Sequence, residues 1–270
     1  MTADFRSACP SSRIYARKAI DEGRKTVTDN RTPRTAVVLP PANAAVEPEF
    51  GTLLRNLAHV YSSRFPVLPG KTLRERLETY NKIIPEMLGA FGTLRLDAAV
   101  IACSGSHYLF GPDEDRELCA RLGREFGYPV ASATVATLDL LGAIGARTIT
   151  LVSPYEPWLT ELSVSYWRAA GLTVDRVIPI RAGQAFSPYD VTTDELIAQV
   201  DAAQPARDGV FFLTGTGMFT LDAVERLREN TSRTVLTSNI AGSWWALRAT
   251  GRTAPTGRTA PAGPLSRLPR

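Results

Sequence analysis

Short apolar runs alternate with longer amphipathic segments between residues 35 and 252. Runs such as residues 35–39, 148–152 and 209–213 lie next to Gly, Pro, Ser or Thr, and this pattern predicts buried strands. The segments between them repeat apolar residues at helical spacing, most clearly over residues 72–91. Strands that alternate with helices predict an α/β fold whose parallel sheets are covered on both faces.

The pattern occurs twice along the chain. Residues 129–147 resemble residues 234–252, because each segment has a short strand, a Ser/Thr step, an apolar helix and a Gly and Arg at its end. Residues 97–106 resemble residues 208–217, where an Asp precedes a strand that ends in small polar residues. We therefore predict two pseudo-symmetric Rossmann-like halves with parallel sheets and an active-site cleft between them.

Composition sets the boundaries of the predicted domains. Residues 1–34 lack sustained apolar periodicity, which predicts a flexible N-terminal arm. We assign residues 35–130 together with 240–252 to the first α/β half and residues 131–239 to the second. Residues 253–270 repeat Gly, Arg, Thr, Ala and Pro and cannot bury enough apolar surface to fold, so we expect a disordered tail.

The formal net charge of +4 comes from the two ends of the chain. Residues 1–34 contribute +4 and residues 251–270 another +4, which leaves −4 on residues 35–250. A domain that binds nucleic acid carries its basic surface on the folded part. The charge distribution therefore predicts that nucleic acid is not a partner.

The three cysteines, Cys9, Cys103 and Cys119, are too few and too scattered for a disulfide framework. With two histidines in the chain they show no metal-ligand spacing, so we expect no metal. Few cysteines and no apolar run long enough to cross a bilayer predict a cytoplasmic protein without a membrane partner. The oligomeric state stays open, with a homodimer as one alternative.

An apolar run leads directly into Cys103, Ser104 and Gly105. Ligands of open α/β sheets bind at the carboxyl ends of strands, which places Cys103 at a candidate site. The small neighbours would let a substrate approach the backbone. The alternative is a buried structural thiol, since free Cys is among the most buried residue types. The residues alone leave both interpretations open.

The loop after the first strand contains Pro41 and Asn43 and leads to a helix predicted over residues 50–59. Unpaired backbone N–H groups at a helix N-terminus favour an anion, and the Asn43 amide can add a donor. This corner is therefore a candidate carboxylate site. An Asn in a loop is also a common turn residue, which is the alternative.

Other polar residues receive structural interpretations. Cys119 lies on the apolar face of a helix predicted over residues 113–126 and is assigned to the core. His107 is interpreted as a loop residue with a polar tip, and Asn239 as either a helix N-cap or a ligand donor. The run at residues 214–217 lacks the G-x-G-x-x-G spacing, so we expect no nucleotide cofactor.

Five motifs in this order resemble the aspartate/glutamate racemase superfamily, in the branch of maleate cis-trans isomerases and arylmalonate decarboxylase. VLPPANAAVEPEF resembles the first-strand loop of that family, IACSGSHYLFG its first cysteine motif, and SPY, which ends at Tyr155, its tyrosine loop. TLDAVERL and TSNIAGSWWALRATG resemble its closing motifs. The resemblance covers roughly residues 35–252 and implies a cofactor-independent enzyme that acts on a small carboxylic acid.

Racemases and isomerases of this family place two cysteines on opposite sides of the substrate, and the second is missing here. Counted from Asp208, its position falls on Thr214; counted back from Thr220, it falls on Gly215. Neither residue is a ready acid or base. Racemisation needs two poised groups and is therefore disfavoured.

Decarboxylation of an α-substituted malonate needs a single acid, and it is our first hypothesis. Cys103 would protonate the enediolate, and preorganised donors would hold the remaining carboxylate. The residues expected to bind substrate are Pro41, Asn43, Ser104, Gly105, Tyr155, Thr214, Gly215 and Thr216. Arylmalonate decarboxylase carries its cysteine on the second loop, so the mirror arrangement here predicts protonation of the opposite face.

Two alternatives remain. In the first, Cys103 is a nucleophile that adds to the double bond of a maleate-type acid, as the resemblance to the isomerases implies. In the second, the chain is a non-catalytic homologue that only binds a carboxylate, because a fold alone does not establish an activity.

Overall fold

The predicted parallel strands are present in a computed structural model, which describes residues 31–203, 208–229, 231–252, Leu265 and Leu268. The strands in this part of the chain are Arg34–Leu39 (β1), His59–Arg64 (β2), Ala98–Ile101 (β3), Val130–Ser132 (β4), Thr148–Ser153 (β5), Thr173–Pro179 (β6), Val210–Leu213 (β7) and Thr234–Thr237 (β8). The helices are Val46–Leu53 (α1), Leu73–Gly89 (α2), Ser104–His107 (α3), Pro112–Phe126 (α4), Ala133–Ala143 (α5), Pro157–Ala169 (α6), Thr193–Ala202 (α7), Leu221–Arg228 (α8) and Ser238–Ala249 (α9).

The strands form two four-stranded sheets. The first has the order β2-β1-β3-β4 and the second β6-β5-β7-β8, and every neighbouring pair is parallel. The second sheet thus repeats the strand order of the first. The α/β fold with two parallel sheets, predicted from the repeated pattern, is confirmed.

Two helices join the halves. α5 follows the last strand of the first sheet, α9 follows the last strand of the second, and the two pack against each other. α9 also packs against α1 and β3. One continuous core cluster contains buried residues of both sheets, such as Val38 and Phe212.

Helix α1 begins earlier than the sequence pattern predicted. It covers Val46–Leu53, whereas we predicted residues 50–59. The Asn43 side chain explains the difference, because its Oδ1 accepts the N–H groups of Ala45 and Val46 at 3.0 and 3.1 Å and so fixes the start of the helix. Pro48 is tolerated because the N–H that it lacks lies in the first helical turn.

The expected loop after β3 is a one-turn helix. Residues 104–107 form α3, and Cys103 occupies its N-cap position. The Ser106 hydroxyl donates to the Cys103 carbonyl at 3.0 Å, which ties the turn to the strand end. The cysteine is therefore held by regular structure on both sides.

The chain termini are described only in part. The predicted N-terminal arm, which contains Cys9, lies outside the described residues up to residue 30. Of the predicted tail, residues 253–270, only Leu265 and Leu268 are described: Leu265 is buried in the core, and Leu268 packs against it. None of the helices in the described part of the chain is long and apolar enough to cross a membrane.

Candidate active site

The loops that follow β1, β3, β5 and β7 meet at one place. β1 and β3 are the central strands of the first sheet, and β5 and β7 those of the second. In each sheet the strand order reverses between these two strands, and ligands of open α/β sheets bind at such switch points. The four loops carry Asn43, Cys103, Tyr155 and the Thr214–Thr216 segment.

Hydrogen bonds join these loops across the two halves. Asn43 Nδ2 donates to Thr216 Oγ1 at 3.1 Å, and Thr216 Oγ1 donates to the Ala102 carbonyl at 2.8 Å. All three groups are buried. The structure therefore brings the predicted residues Asn43 and Thr216 next to the strand end that carries Cys103.

At the carboxylate site predicted for the start of α1, hydrogen bonds within the protein already use several of the donors. The two N–H groups that bond Asn43 Oδ1 are unavailable to an anion, and one Nδ2 hydrogen goes to Thr216. The loop itself is held by Arg64, whose Nη1 donates to the carbonyls of Pro41 at 2.8 Å and Asn43 at 3.0 Å. The Arg64 guanidinium also pairs with Glu47. Asn43 and Pro41 thus shape the site.

Cys103 is a buried free thiol. Burial raises the pKa of this thiol, while the hydroxyl and the backbone N–H of Ser106 act in the opposite direction. The net shift is upward. A raised pKa favours the protonated form of the thiol at neutral pH.

Tyr155 faces the cysteine loop from the second half. Burial raises the pKa of its phenol, Tyr108 and Cys103 raise it further, and a hydrogen bond with Ser104 opposes them. The Ser104 hydroxyl also donates to Ser238 Oγ at 3.3 Å. Tyr155 is therefore a neutral hydroxyl beside Ser104, in reach of the predicted site.

The geometry separates the roles of Thr214 and Gly215. The Thr214 hydroxyl is hydrogen-bonded to the hydroxyl of Tyr108, a buried residue at the end of α3. A Cβ on Gly215 would lie 2.7 Å from the Tyr155 hydroxyl oxygen, so the empty side of this glycine faces Tyr155. Gly215 has a φ of 91°, which L-residues with a side chain rarely adopt.

Gly215→Ala is expected to lower the free energy of unfolding by about 1 to 3 kcal/mol, because the added methyl group strains the backbone and displaces Tyr155. Turnover should fall as well, since the Tyr155 hydroxyl moves. Urea denaturation and steady-state kinetics measure the two effects. Gly142→Ala is the matched control: this exposed helical glycine has nothing within 4 Å of an added Cβ, so its stability should stay or rise by up to about 1 kcal/mol. If the two variants had the same stability and turnover, the assignment of Gly215 as a strained glycine that contacts Tyr155 would be contradicted.

Sequence reasoning missed a buried carboxylate that connects the halves. Glu49 accepts hydrogen bonds from the Thr220 backbone and hydroxyl, from the Leu221 N–H at 3.1 Å and from Asn239 Nδ2 at 2.7 Å. Burial raises the pKa of Glu49, and these hydrogen bonds oppose the rise. Asn239 is neither an N-cap nor a free donor, because Thr237 caps α9 and Asn239 bonds Glu49 and the Thr216 carbonyl.

The interpretation of His107 as a loop residue with a polar tip is wrong. His107 lies in α3, is fully buried, and its Nδ1 is 2.8 Å from Asp115 Oδ1. The Asp115 carboxylate also accepts from the hydroxyls of Ser132 at 2.9 Å, Thr134 at 2.6 Å and Tyr166 at 2.7 Å. This buried cluster lies directly behind the cysteine loop.

Cys119 belongs to the same region and is buried in the core, as predicted. Its Sγ accepts the Ser132 N–H at 3.1 Å and lies 3.8 Å from Asp115 Oδ1. Burial and the nearby Asp115 carboxylate raise the pKa of this thiol. The described residues hold no group of three or more His, Cys, Asp or Glu side chains placed to bind a metal ion.

Comparison with known proteins gives a family match for this chain. A family model described as arylmalonate decarboxylase matches residues 35–260. The chain is 26% identical to arylmalonate decarboxylase of Bordetella bronchiseptica over 228 residues, which cover 82% of this chain and 91% of that protein. It is 24% identical to maleate isomerase of Pseudomonas putida over 229 residues, 80% of this chain and 91% of that protein.

A solved structure confirms the fold. It is a cysteine-to-serine mutant of Nocardia farcinica maleate cis-trans isomerase with a covalently bound succinylcysteine intermediate. The TM-score is 0.74 at 21% identity, and the match covers 87% of this chain and 98% of that one. The likeness therefore extends over both halves.

Proposed function

Since the chain belongs to the arylmalonate decarboxylase family, we propose that it is a cofactor-independent enzyme that removes CO₂ from an α-substituted malonate, with Cys103 as the proton donor. The observation that carries this proposal is the position of Cys103, a buried thiol at the carboxyl end of β3 where the loops of the two halves meet, with Thr214 and Gly215 in place of a second cysteine. Burial raises the pKa of this thiol, which favours its protonated form. Among the described residues, the groups that act on that pKa include no cation that would stabilise a thiolate. The site thus keeps an acid where the reaction needs one.

The reaction follows from this acid. The bond between the α-carbon and one carboxylate breaks, CO₂ leaves, and the electron pair passes into the remaining carboxylate to form an enediolate. The Cys103 thiol then donates its proton to the α-carbon, and solvent reprotonates the thiolate. The product is the α-substituted acetic acid, and no redox partner is required.

Charge that develops on the remaining carboxylate must be met by donors already in place. We assign this role to the Tyr155 hydroxyl and to the backbone N–H groups of Gly105, Gly215 and Thr216. The Ser104 hydroxyl is excluded because it donates to Ser238 Oγ at 3.3 Å. The Thr214 N–H is excluded because it donates to the Val152 carbonyl at 3.0 Å within the second sheet. The N–H groups of Gly215 and Thr216 are therefore the first in that loop to lie beyond the hydrogen bonds of the second sheet.

Apolar side chains next to the cysteine loop favour loss of CO₂. A Cβ on Gly105 would lie 3.5 Å from Leu159 Cδ2 and 3.6 Å from Leu77 Cδ2, so both leucines cover this turn. A carboxylate placed against these methyl groups loses the water that stabilises its charge. The neutral CO₂ product needs no such hydration, so the apolar surroundings favour the reaction. We therefore assign the departing carboxylate to the side of Leu77 and Leu159.

The isomerase remains the second candidate, since the chain is also 24% identical to a maleate isomerase. In that reaction Cys103 would act as a thiolate nucleophile. The raised pKa of the buried thiol disfavours this form. The single cysteine among the site residues is likewise better suited to protonation from one side.

The test uses 2-methyl-2-phenylmalonate and maleate in D₂O with NMR detection. We expect CO₂ release from the malonate and one deuterium at the α-carbon of a single enantiomer of the product, because Cys103 protonates one face only. Maleate should remain unchanged. A racemic deuterated product would contradict protonation by Cys103 alone, and fumarate without CO₂ release would establish the isomerase instead.

A further inference from the structure

A positively charged side chain that has no ion-pair partner among the described residues lies beside the proposed decarboxylase site. Arg76 is in the second turn of α2, directly before Leu77, which covers the cysteine turn. Its Nε is buried and makes no hydrogen bond in the structure. A buried N–H without a partner is uncommon, because leaving it unpaired costs stability.

Other cations near this region already have partners. Arg74, two residues earlier on the exposed side of α2, pairs with Glu78 at 3.3 Å. Arg64 pairs with Glu47 and holds the loop after β1. Arg76 differs from both, since no ion pair or hydrogen bond to its guanidinium occurs among the described residues.

Two tyrosines connect Arg76 to the site. Tyr80 lies one helical turn after Arg76, on the same face of α2, and stacks on Phe65 with ring centroids 4.5 Å apart. Tyr189, from the loop between β6 and α7, lies on Gly217, where a Cβ would be 2.6 Å from its Cε1. Tyr189 is 39% exposed, so this wall reaches the rim of the site.

The pKa values of these phenols report the same arrangement. Burial raises the pKa of Tyr80 and of Tyr189, and proximity to Cys103 raises both further. The positive charge of Arg76 lowers both. Arg76 and Cys103 therefore both lie near the two phenols.

We propose that Arg76 forms an anion subsite at the rim, which selects malonates whose α-substituent carries a carboxylate in addition to the two carboxylates of the malonate. The inference rests on the proposed decarboxylation, since it names the substrate class of the same site. The unpaired Nε, together with a neighbouring Nη, offers the side-on pair of donors that matches a carboxylate. The two tyrosine rings accept the apolar part of the substituent between the reacting carbon and this group.

The test compares phenylmalonate with 4-carboxyphenylmalonate. We expect the wild-type protein to favour the carboxylated substrate, and Arg76→Gln to lower kcat/KM for it by about tenfold to a hundredfold, chiefly through KM, because a charge-assisted hydrogen bond is lost. The change for phenylmalonate should stay below about threefold, since that substrate has no group for Arg76 to bind. Arg76→Lys should recover part of the preference.

Arg74→Gln is the matched control, since it removes a cation from the same helix but from the exposed side. It should leave both substrates unaffected. Equal losses for both substrates with Arg76→Gln would assign Arg76 a purely structural role. If Arg76→Gln kept the preference for 4-carboxyphenylmalonate, the subsite would be overturned, but the proposed decarboxylase activity would not.

Failure of the proposed reaction is distinguished by binding. If neither malonate releases CO₂, calorimetry with phenylacetate and 4-carboxyphenylacetate still tests Arg76. The subsite predicts that the second acid binds the wild type at least about tenfold more tightly, and that Arg76→Gln removes the difference. Equal affinity, or no binding of either acid, would overturn the subsite.

Discussion

Cys103→Ala is expected to lower kcat/KM for an α-substituted malonate by about a thousandfold or more, because the variant has no acid to protonate the enediolate. The fold should tolerate the change. Removing one buried sulfur atom from the end of β3 costs about 1 kcal/mol, which shifts Tm by about 2 to 4 °C in a domain of this size. CO₂ release and thermal denaturation measure the two quantities on the same preparation.

Cys119→Ala is the matched control, since both thiols are buried and only one faces the proposed site. Loss of the Cys119 sulfur leaves the Ser132 N–H without its partner, so we expect a loss of about 1 to 2 kcal/mol in the free energy of unfolding. Turnover should stay within about threefold of wild type because the Cys103 acid is intact. If Cys103→Ala kept its activity, the proton would come from another residue and the proposed mechanism would be wrong.

Asp115→Asn is expected to give the largest loss of stability, about 3 to 5 kcal/mol by urea denaturation. The wild-type carboxylate accepts from three hydroxyl groups and pairs with His107, all of them buried. An amide supplies one acceptor oxygen and turns two hydrogens toward the remaining donors. His107 Nδ1 then loses its carboxylate partner in the core.

The acid dependence of stability provides a second measurement. Burial alone would raise the pKa of Asp115, but the charge of His107 and the hydrogen bonds lower it overall. A carboxyl whose pKa is lower in the folded state stabilises the protein above its ordinary pKa, and this contribution is lost as the pH falls through the folded pKa. Asp115→Asn should therefore remove part of the acid sensitivity.

Asp139→Asn serves as the control for Asp115→Asn. Asp139 pairs with Arg116 at 2.9 Å, but both side chains are partly exposed, at 34% and 46%. Exposed ion pairs contribute at most about 1 kcal/mol, so this variant should stay close to wild type. Similar losses for the two variants would mean that the buried cluster behind the cysteine loop is unimportant for stability.

Local sequence patterns were sufficient for the order of elements and for the position of Cys103. Apolar periodicity distinguishes strands from helices, and the rule that ligands bind at strand ends then selects Cys103 and residues 214–217. Tyr155 was predicted from the family resemblance of the SPY motif. The repeated pattern of residues 97–106 and 208–217 matches the equivalent strands β3 and β7 of two sheets with the same order.

No local sequence pattern predicts the contacts between residues that lie far apart along the chain. Glu49 lies 171 residues from Thr220 and 190 from Asn239, and nothing in the helix that contains Glu49 indicates these partners. His107 follows small polar residues typical of a loop, and its burial depends on Tyr166, which reaches the same carboxylate from α6. Tyr189 lies in a loop without periodicity, so its place at the rim became visible only in three dimensions.

The bonds that Thr216 and Glu49 make between the halves limit how the protein can move. Rotating one half away from the other would break these hydrogen bonds together, and a typical intramolecular hydrogen bond contributes about 0.5 to 1.5 kcal/mol net. We expect this hinge motion to be rare during catalysis, because it would also separate α5 from α9. Substrate and product must pass the Tyr189 rim while the two halves stay together. The donors for the enediolate are therefore set when the chain folds and need no rearrangement at the moment of reaction.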